Sequence, residues 1–226
     1  MILILAEKPS LARNITAAIG GMKKRDGYYE GAQYIVTWAF GHLFSLADIE
    51  DYNPAPQECR HWTMDNLPCF PKKYKFVLRK GSDKQVDSGV ARQFETIKAL
   101  CNRPDVDTIV NAGDADREGE IIIRIIVDHA FASKEERAGK SHKRLWLPDQ
   151  TAETINKALT EMKDEEAYDN LAYEGYARTF IDWLYGVNLT RYATLKTGTL
   201  LRVGRVIVPI VKAIYDRDMA IKNFVP

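Results

Sequence analysis

The stretch Thr108-Ile109-Val110-Asn111-Ala112-Gly113-Asp114-Ala115-Asp116-Arg117-Glu118-Gly119-Glu120 constrains this chain more than any other. Its apolar start, Thr108 to Ala112, reads as a short buried strand, and Gly113 permits a sharp turn at the end. Asp114, Asp116 and Glu118 then alternate, so an extended or turning backbone points the three carboxylates the same way. The run Ile121-Ile122-Ile123-Arg124-Ile125-Ile126-Val127 that follows is too apolar for a solvated surface. It predicts a mostly buried helix whose first turn, with Glu118 and Glu120, holds acids that a helix N-terminus favours. The carboxylates thus stand where a strand ends and a helix begins, the usual ligand position of a parallel α/β sheet.

Three oxygen donors with no His or Cys beside them suit a hard cation, Mg²⁺ above all, which takes a few carboxylates and keeps positions for phosphate and water. A calcium loop would want more oxygen ligands, a Gly at its sixth position and a closing Glu, and would not follow a buried strand. A plain acidic turn remains the bland alternative, and the regular spacing after an apolar strand argues against it.

A second unit of the same kind opens the chain. Met1-Ile2-Leu3-Ile4-Leu5-Ala6 reads as a strand, Ser10 as a helix N-cap, and Leu11, Ile15 and Ile19 as a helical stripe closed by Gly20-Gly21. Glu7 and Lys8 then lie in a loop equivalent to that of Asp114, and in a parallel sheet the two loops open on one edge. Asp26-Gly27 predicts a hairpin turn before a strand at Tyr34–Trp38. Residues 48–71, rich in Pro, Asn and Asp, read as surface loops. A strand around Tyr74, Phe76 and Leu78 precedes a helix with Val90, Phe94, Ile97 and Cys101 on one face. The succession of helix, strand, acidic loop and helix predicts a mostly parallel sheet with helices on both faces. Residues 133–143 are charged and mobile-looking, and Leu145-Trp146-Leu147 reads as a strand. Beyond Pro148, Thr151 caps a helix, and residues 165–191 are mostly helix with Gly186 a weak point.

Composition narrows the class. At 226 residues the chain holds one large domain, or one domain and part of a second. No apolar segment approaches the ~20 residues of a membrane span, and the start carries no basic leader or cleavage site. Three scattered cysteines argue against a disulfide framework or a zinc ribbon and for a reducing, cytoplasmic setting. A net charge of +1 does not announce nucleic acid, so such a partner would have to meet a local patch. Arg178, Arg191, Lys196, Arg202, Arg205 and Lys212, interleaved with Tyr176, Trp183, Tyr185 and Tyr192, offer one. Cations neutralise phosphates and aromatics stack bases, although a solvated basic face over an aromatic core gives the same composition.

The run from Asp114 to Glu120 resembles the acidic motif of Toprim domains, in the form carried by type IA DNA topoisomerases. Toprim primases and nucleases share the paired aspartates but not the Arg-Glu-Gly-Glu continuation. Ala6-Glu7-Lys8-Pro9-Ser10 is similar to the opening of the topoisomerase III branch. Phe40-Gly41-His42-Leu43, Arg178 with Asp182-Trp183-Leu184-Tyr185-Gly186, Asn188-Leu189-Thr190-Arg191 and Gly204-Arg205-Val206 follow in order. The resemblance implies a Toprim domain over residues 1–148 and the first, incomplete part of a helical, single-stranded-DNA-binding domain over 149–226.

It also implies function. Such an enzyme, without ATP, cleaves and religates one DNA strand through a 5′-phosphotyrosine link. Glu7 would be the general acid and Lys8 would stabilise charge on phosphate. Asp114, Asp116 and Glu118, with Glu7, would hold Mg²⁺, their mutual repulsion raising the pKa of Glu7. Arg117, Arg178, Asp182, Arg205 and His42 would position DNA. Two departures stand out. Ile207 and Val208 replace the polar pair the family carries after Gly-Arg-Val. None of the chain's tyrosines is followed by His or Pro, Arg and Thr, the setting of the nucleophile. The expectation is an N-terminal fragment whose nucleophile lies in C-terminal domains of the same enzyme. The rivals are a stand-alone Toprim primase-like or nuclease-like protein and a non-catalytic metal- and DNA-binding module.

Overall fold

The computed structural model describes residues 1–52, 62–81 and 85–225. In chain order the strands and helices are β1 (Ile2–Ala6), α1 (Pro9–Ile19), β2 (Lys23–Lys24), β3 (Tyr28–Glu30), β4 (Tyr34–Trp38), β5 (Phe44–Leu46), β6 (Phe76–Leu78), α2 (Ser88–Cys101), β7 (Thr108–Ala112), α3 (Arg117–Ala130), α4 (Lys134–Ala138), β8 (Ser141–Arg144), α5 (Ala152–Thr160), β9 (Lys163–Asp164), α6 (Asp169–Thr197) and α7 (Ile207–Lys222). Short 3-10 turns lie at Ile49–Asp51, Met64–Asn66 and Glu165–Tyr168.

Seven strands form one sheet in the order β2-β3-β4-β1-β7-β8-β9. The inner four, β4, β1, β7 and β8, are parallel, and β2, β3 and β9 join antiparallel at the flanks. Side chains alternate across the sheet, so Leu3, Leu5, Ile35 and Ile109 share a core with α2 and α3. Ile4, Ala6, Val36 and Val110 face the other way, onto Leu11 and Ile15 of α1 and Ile155 of α5. Burial on both faces is why these strands read as unbroken apolar runs rather than alternating ones. In α3, Ile121, Ile122, Ile123, Ile125, Ile126 and Val127 are all buried. Burial of each side chain contributes about 1.5–3 kcal/mol, which anchors the helix behind the acidic loop.

Local chemistry departs from expectation in three places. Ser10 does not cap α1: the N-cap is Lys8, with no side-chain bond, and Pro9 stands at the first helical positions, where its missing N–H costs nothing. Residues 133–143 carry α4 and most of β8, with the Ser133 hydroxyl capping α4 through Glu136 N. The strand expected at Leu145–Leu147 lies earlier, at β8, whose residues are polar because ion pairs receive them: Lys143 meets Asp164, and Arg144 meets Glu120. Of the surface loops expected over residues 48–71, residues 53–61 lie outside the described residues, and Ile49 and Cys69 are buried. Gly27 takes the left-handed conformation of the hairpin turn (φ +81°), the Thr151 hydroxyl caps α5, and α6 runs through Gly186 unbroken.

Packing divides the chain into two compact units, Met1–Ser45 with Phe76–Tyr176, and Leu46–Lys75 with Ala177–Pro226. Pro148 falls inside the first, because α5 packs on α1 and β9 pairs with β8. In the second unit the segment before β6 clamps the later turns of α6. Tyr74 stacks on Phe180 at 4.1 Å, and the Trp183 indole N–H donates to the Ala47 carbonyl at 3.0 Å. The Asn188 side chain satisfies both the N–H and the carbonyl of Cys69, at 2.7 and 3.0 Å. Arg191 is buried against Asp48 and Glu50, its guanidinium lying over the Trp62 ring at 4.9 Å. Among the described residues no helix is long and apolar enough to cross a membrane.

Within the first unit, Gly175 at the start of α6 rests on α3: a Cβ there would stand 2.7 Å from both the Arg117 carbonyl and the Ile121 Cγ2. Gly175→Ala should therefore cost about 1–3 kcal/mol in urea unfolding through overpacking. Stability equal to the parent would show that the two helices do not meet there.

Candidate active site

Parallel pairing levels Ala6 of β1 with Ala112 of β7 and with Trp38 of β4. The three strands therefore end on one edge and release Glu7-Lys8, residues 39–42 and residues 113–116 together. Main-chain bonds hold these loops: Ala39 N donates to the Ala6 carbonyl at 2.8 Å and Gly41 N to the Glu7 carbonyl at 2.9 Å. Gly41 has φ +68°, a conformation that favours glycine, and the turn it makes carries His42 to the acids.

Asp114 is where the loops meet. Its amide N–H donates to Glu7 Oε2 at 2.9 Å, and Lys8 Nζ donates to its Oδ2 at 2.7 Å. The other acids turn elsewhere. Asp116 is the N-cap of α3, its Oδ1 accepting from Gly119 N at 2.8 Å. Glu118 lies in the first helical turn and meets His42 Nε2 at 2.8 Å. Because the helix starts at Arg117, the alternation expected of an extended backbone stops at Asp116. Among the described residues no three His, Cys, Asp or Glu side chains gather as a group able to hold a metal.

Two glycines allow this loop to close on its helix. A Cβ on Gly113 would lie 2.1 Å from the Gly119 carbonyl oxygen. One on Gly119 would lie 2.4 Å from Asp114 N and 2.8 Å from Glu7 Oε2. Gly113 serves close backbone approach, since its φ is not among the positive ones. Beneath the loop, the fully buried Arg144 donates to the Gly113 carbonyl at 2.8 Å and the Asp114 carbonyl at 2.7 Å, and pairs with the fully buried Glu120 at 2.6 Å. Glu120 also accepts from Arg124 at 2.7 Å, and Asn111 bridges the Glu120 carbonyl and Gly113 N. Arg144, Asn111 and the role of Glu120 were not foreseen. The one sequence signal was an acid set against a run of isoleucines, which demands a buried cation.

Burial raises the pKa of Glu7 most; the Asp114 N–H opposes the shift and the Asp114 charge adds to it. Desolvation, rather than the carboxylate repulsion expected from the sequence, is the leading cause. The bond to Asp114 holds the Lys8 ammonium above its ordinary range.

The residues expected on DNA fall into separate arrangements. Arg117 pairs with Glu174 and His42 with Glu118. In the second unit Asp182 sits between Arg205, which bonds one oxygen, and Arg178, 3.7 Å from the other. Arg191 and Trp183 have structural partners, whereas Tyr185 and Tyr192 are exposed. Ile207 and Val208 open α7, also exposed.

The Toprim domain family matches residues 2–146. The chain belongs to the Toprim family. Residues 166–226 match a DNA topoisomerase family. This Toprim chain is 40% identical over 224 residues to DNA topoisomerase 3 of Staphylococcus epidermidis, covering 99% of the chain and 29% of that protein. It is 39% identical to the proteins of the same name from Bacillus thuringiensis and Shouchella clausii, covering 98–99% of the chain and 28% of each relative. The chain thus spans less than a third of the length of these curated relatives.

Two expectations follow for the Toprim unit. Arg144→Met leaves the buried Glu120 with Arg124 as its remaining cation and takes a donor from the Gly113 and Asp114 carbonyls, and should cost about 3–5 kcal/mol in urea unfolding. Arg144→Met with Glu120→Met should recover part of that loss, whereas strict additivity would deny the coupling. For Glu7, a folded-state pKa above the unfolded one means that the charged carboxylate is disfavoured in the fold. That cost is absent below the unfolded pKa and grows as pH rises through the folded pKa. Glu7→Gln, which keeps an acceptor for Asp114 N, should raise Tm at pH 8 and give no gain at pH 4. A gain of about 2–4 °C would correspond to 1 kcal/mol in a chain of this size. A Tm difference independent of pH would remove the assignment.

Proposed function

We propose that this chain is part of a type IA DNA topoisomerase, in which Glu7, Lys8 and the Asp114 loop form the strand-cleaving half-site. The observation that carries the reading is the convergence of Glu7 and Lys8 on Asp114 at one sheet edge, across more than a hundred residues of sequence. In cleavage by the whole enzyme, a tyrosine phenolate oxygen attacks phosphorus, the bond to the 3′ oxygen breaks, and that oxygen takes a proton. Glu7 is the donor, kept protonated further up the pH scale by burial. Lys8, with its ammonium at the loop, stabilises charge on the non-bridging oxygens. In religation the same carboxylate takes the proton back from the 3′ hydroxyl.

The acids offer oxygen donors alone, the chemistry of Mg²⁺, which commonly takes only one or two carboxylates and completes its shell with water and phosphate. Asp114, Asp116 and Glu118, with Glu7, are the candidate donors; their present partners are Lys8, Gly119 N, His42 and the Asp114 N–H. Bound there, Mg²⁺ would supply charge compensation between the acids and a DNA phosphate. The pairs Lys8–Asp114 and His42–Glu118 are each more than a third exposed, so they are weak and exchange readily for phosphate. Arg178, Asp182 and Arg205 position the single strand on the second unit.

The nucleophile belongs elsewhere in the enzyme. Tyr176-Ala177-Arg178-Thr179 comes nearest to the family's tyrosine setting, yet Tyr176 packs against Phe76 and burial holds its phenol above the ordinary range. This chain should bind single-stranded oligonucleotide with an affinity that falls steeply with salt, and should form no covalent adduct. Denaturing electrophoresis after incubation with oligonucleotide and Mg²⁺ tests the second point, and a DNA-linked band at the mass of the chain would refute it. In a full-length relative, Glu7→Gln at the matching position should abolish cleavage while changing strand affinity less than about threefold. Cleavage at the parent rate would remove Glu7 as the acid.

A further inference from the structure

A cavity of about 400 Å³ lies within the first unit, lined by residues of β8, α5 and the turn before α6. Its size falls within the roughly 300–1,000 Å³ of small-molecule sites. Trp146 and Tyr168 stack at 5.3 Å and 17° to form an aromatic wall, and the Arg144 guanidinium lies over the Trp146 ring at 4.9 Å. Arg144 is already matched by Glu120, so the charge of the cavity is set by Lys157 and Lys163 against the single acid Glu161. Both lysines are exposed, and among the described residues neither ammonium has an ion-pair or hydrogen-bond partner. An aromatic wall satisfies a flat ring and two unpaired cations satisfy a phosphate.

We propose that this cavity binds one nucleotide, its base against the Trp146–Tyr168 wall and its phosphate between Lys157 and Lys163. The site is distinct from the Glu7–Asp114 loop, from which Arg144 separates it, and does not depend on strand cleavage. The nucleotide comes either free in solution or as one residue of a single strand, and the chemistry of recognition is shared. Stacking on an aromatic wall tolerates every base, so discrimination among bases should be small.

The test uses the whole chain with EDTA, so that metal-bridged binding at the acidic loop is not read. Deoxyadenosine monophosphate is titrated by tryptophan fluorescence, and a labelled oligothymidine of about eight nucleotides by anisotropy over a salt series. If free nucleotide is the ligand, it quenches the parent, Trp146→Phe removes most of the quench, and Lys157→Ala with Lys163→Ala weakens binding about tenfold or more. If a strand is the source, the mononucleotide does not bind, and the double variant lowers the salt slope of oligonucleotide binding by about 0.7, the value for one phosphate contact on a single strand. Both lysines are exposed, so the double variant should keep the circular dichroism and Tm of the parent. Failure of both probes to bind the parent, or equal binding and equal salt slope in parent and double variant, overturns the proposal.

Discussion

The buried pair between Arg144 and Glu120 is the interaction on which the rest of the site depends. Neither side chain has measurable solvent exposure, and they meet at 2.6 Å. Charges so placed cost several kcal/mol each to desolvate, and the cost is offset only where every remaining donor finds an acceptor. Here it is offset: Arg144 also donates to the carbonyls of Gly113, Asp114 and Leu145, and Glu120 accepts from Arg124. The two carbonyls of the acidic loop are thereby fixed from below. The Asp114 amide is left facing Glu7, and its carboxylate is left facing Lys8.

That arrangement links fold to chemistry through geometry alone. Parallel pairing puts the ends of β1, β4 and β7 level, glycines at 113 and 119 let the loop lie flat on the first turn of α3, and Arg144 locks it there. Glu7 is then half-buried, and burial disfavours its charge, while Lys8, Asp114, His42 and Glu118 remain in solvent-exposed pairs. A rigid frame thus carries exchangeable ion pairs at its rim.

The cavity behind the loop shares Arg144 as a wall. One guanidinium therefore touches both the carbonyls of the acidic loop and the Trp146 ring. Its N–H groups make the hydrogen bonds while its Cζ lies 4.9 Å from the centre of the Trp146 ring.

Much of this was legible in the chain itself. Apolar runs at Ile2–Ala6 and Thr108–Ala112, the helical stripes after them and the acids between them determine a mostly parallel sheet with a shared edge, because strand and helix periodicities are local properties. The spelling of the acidic motif determines the family. Tertiary structure alone decided which acids work together. Alternation in sequence suggested three parallel carboxylates, but helix initiation at Arg117 takes Asp116 as a cap and turns Glu118 toward His42. The strand at Ser141–Arg144 escaped notice because its polar residues find their partners, Glu120 and Asp164, about twenty residues away. Trp183 and Arg191 looked free to meet DNA until the segment before β6 folded over them. A side chain's partner is fixed by contacts distant in sequence, and local pattern carries no record of them.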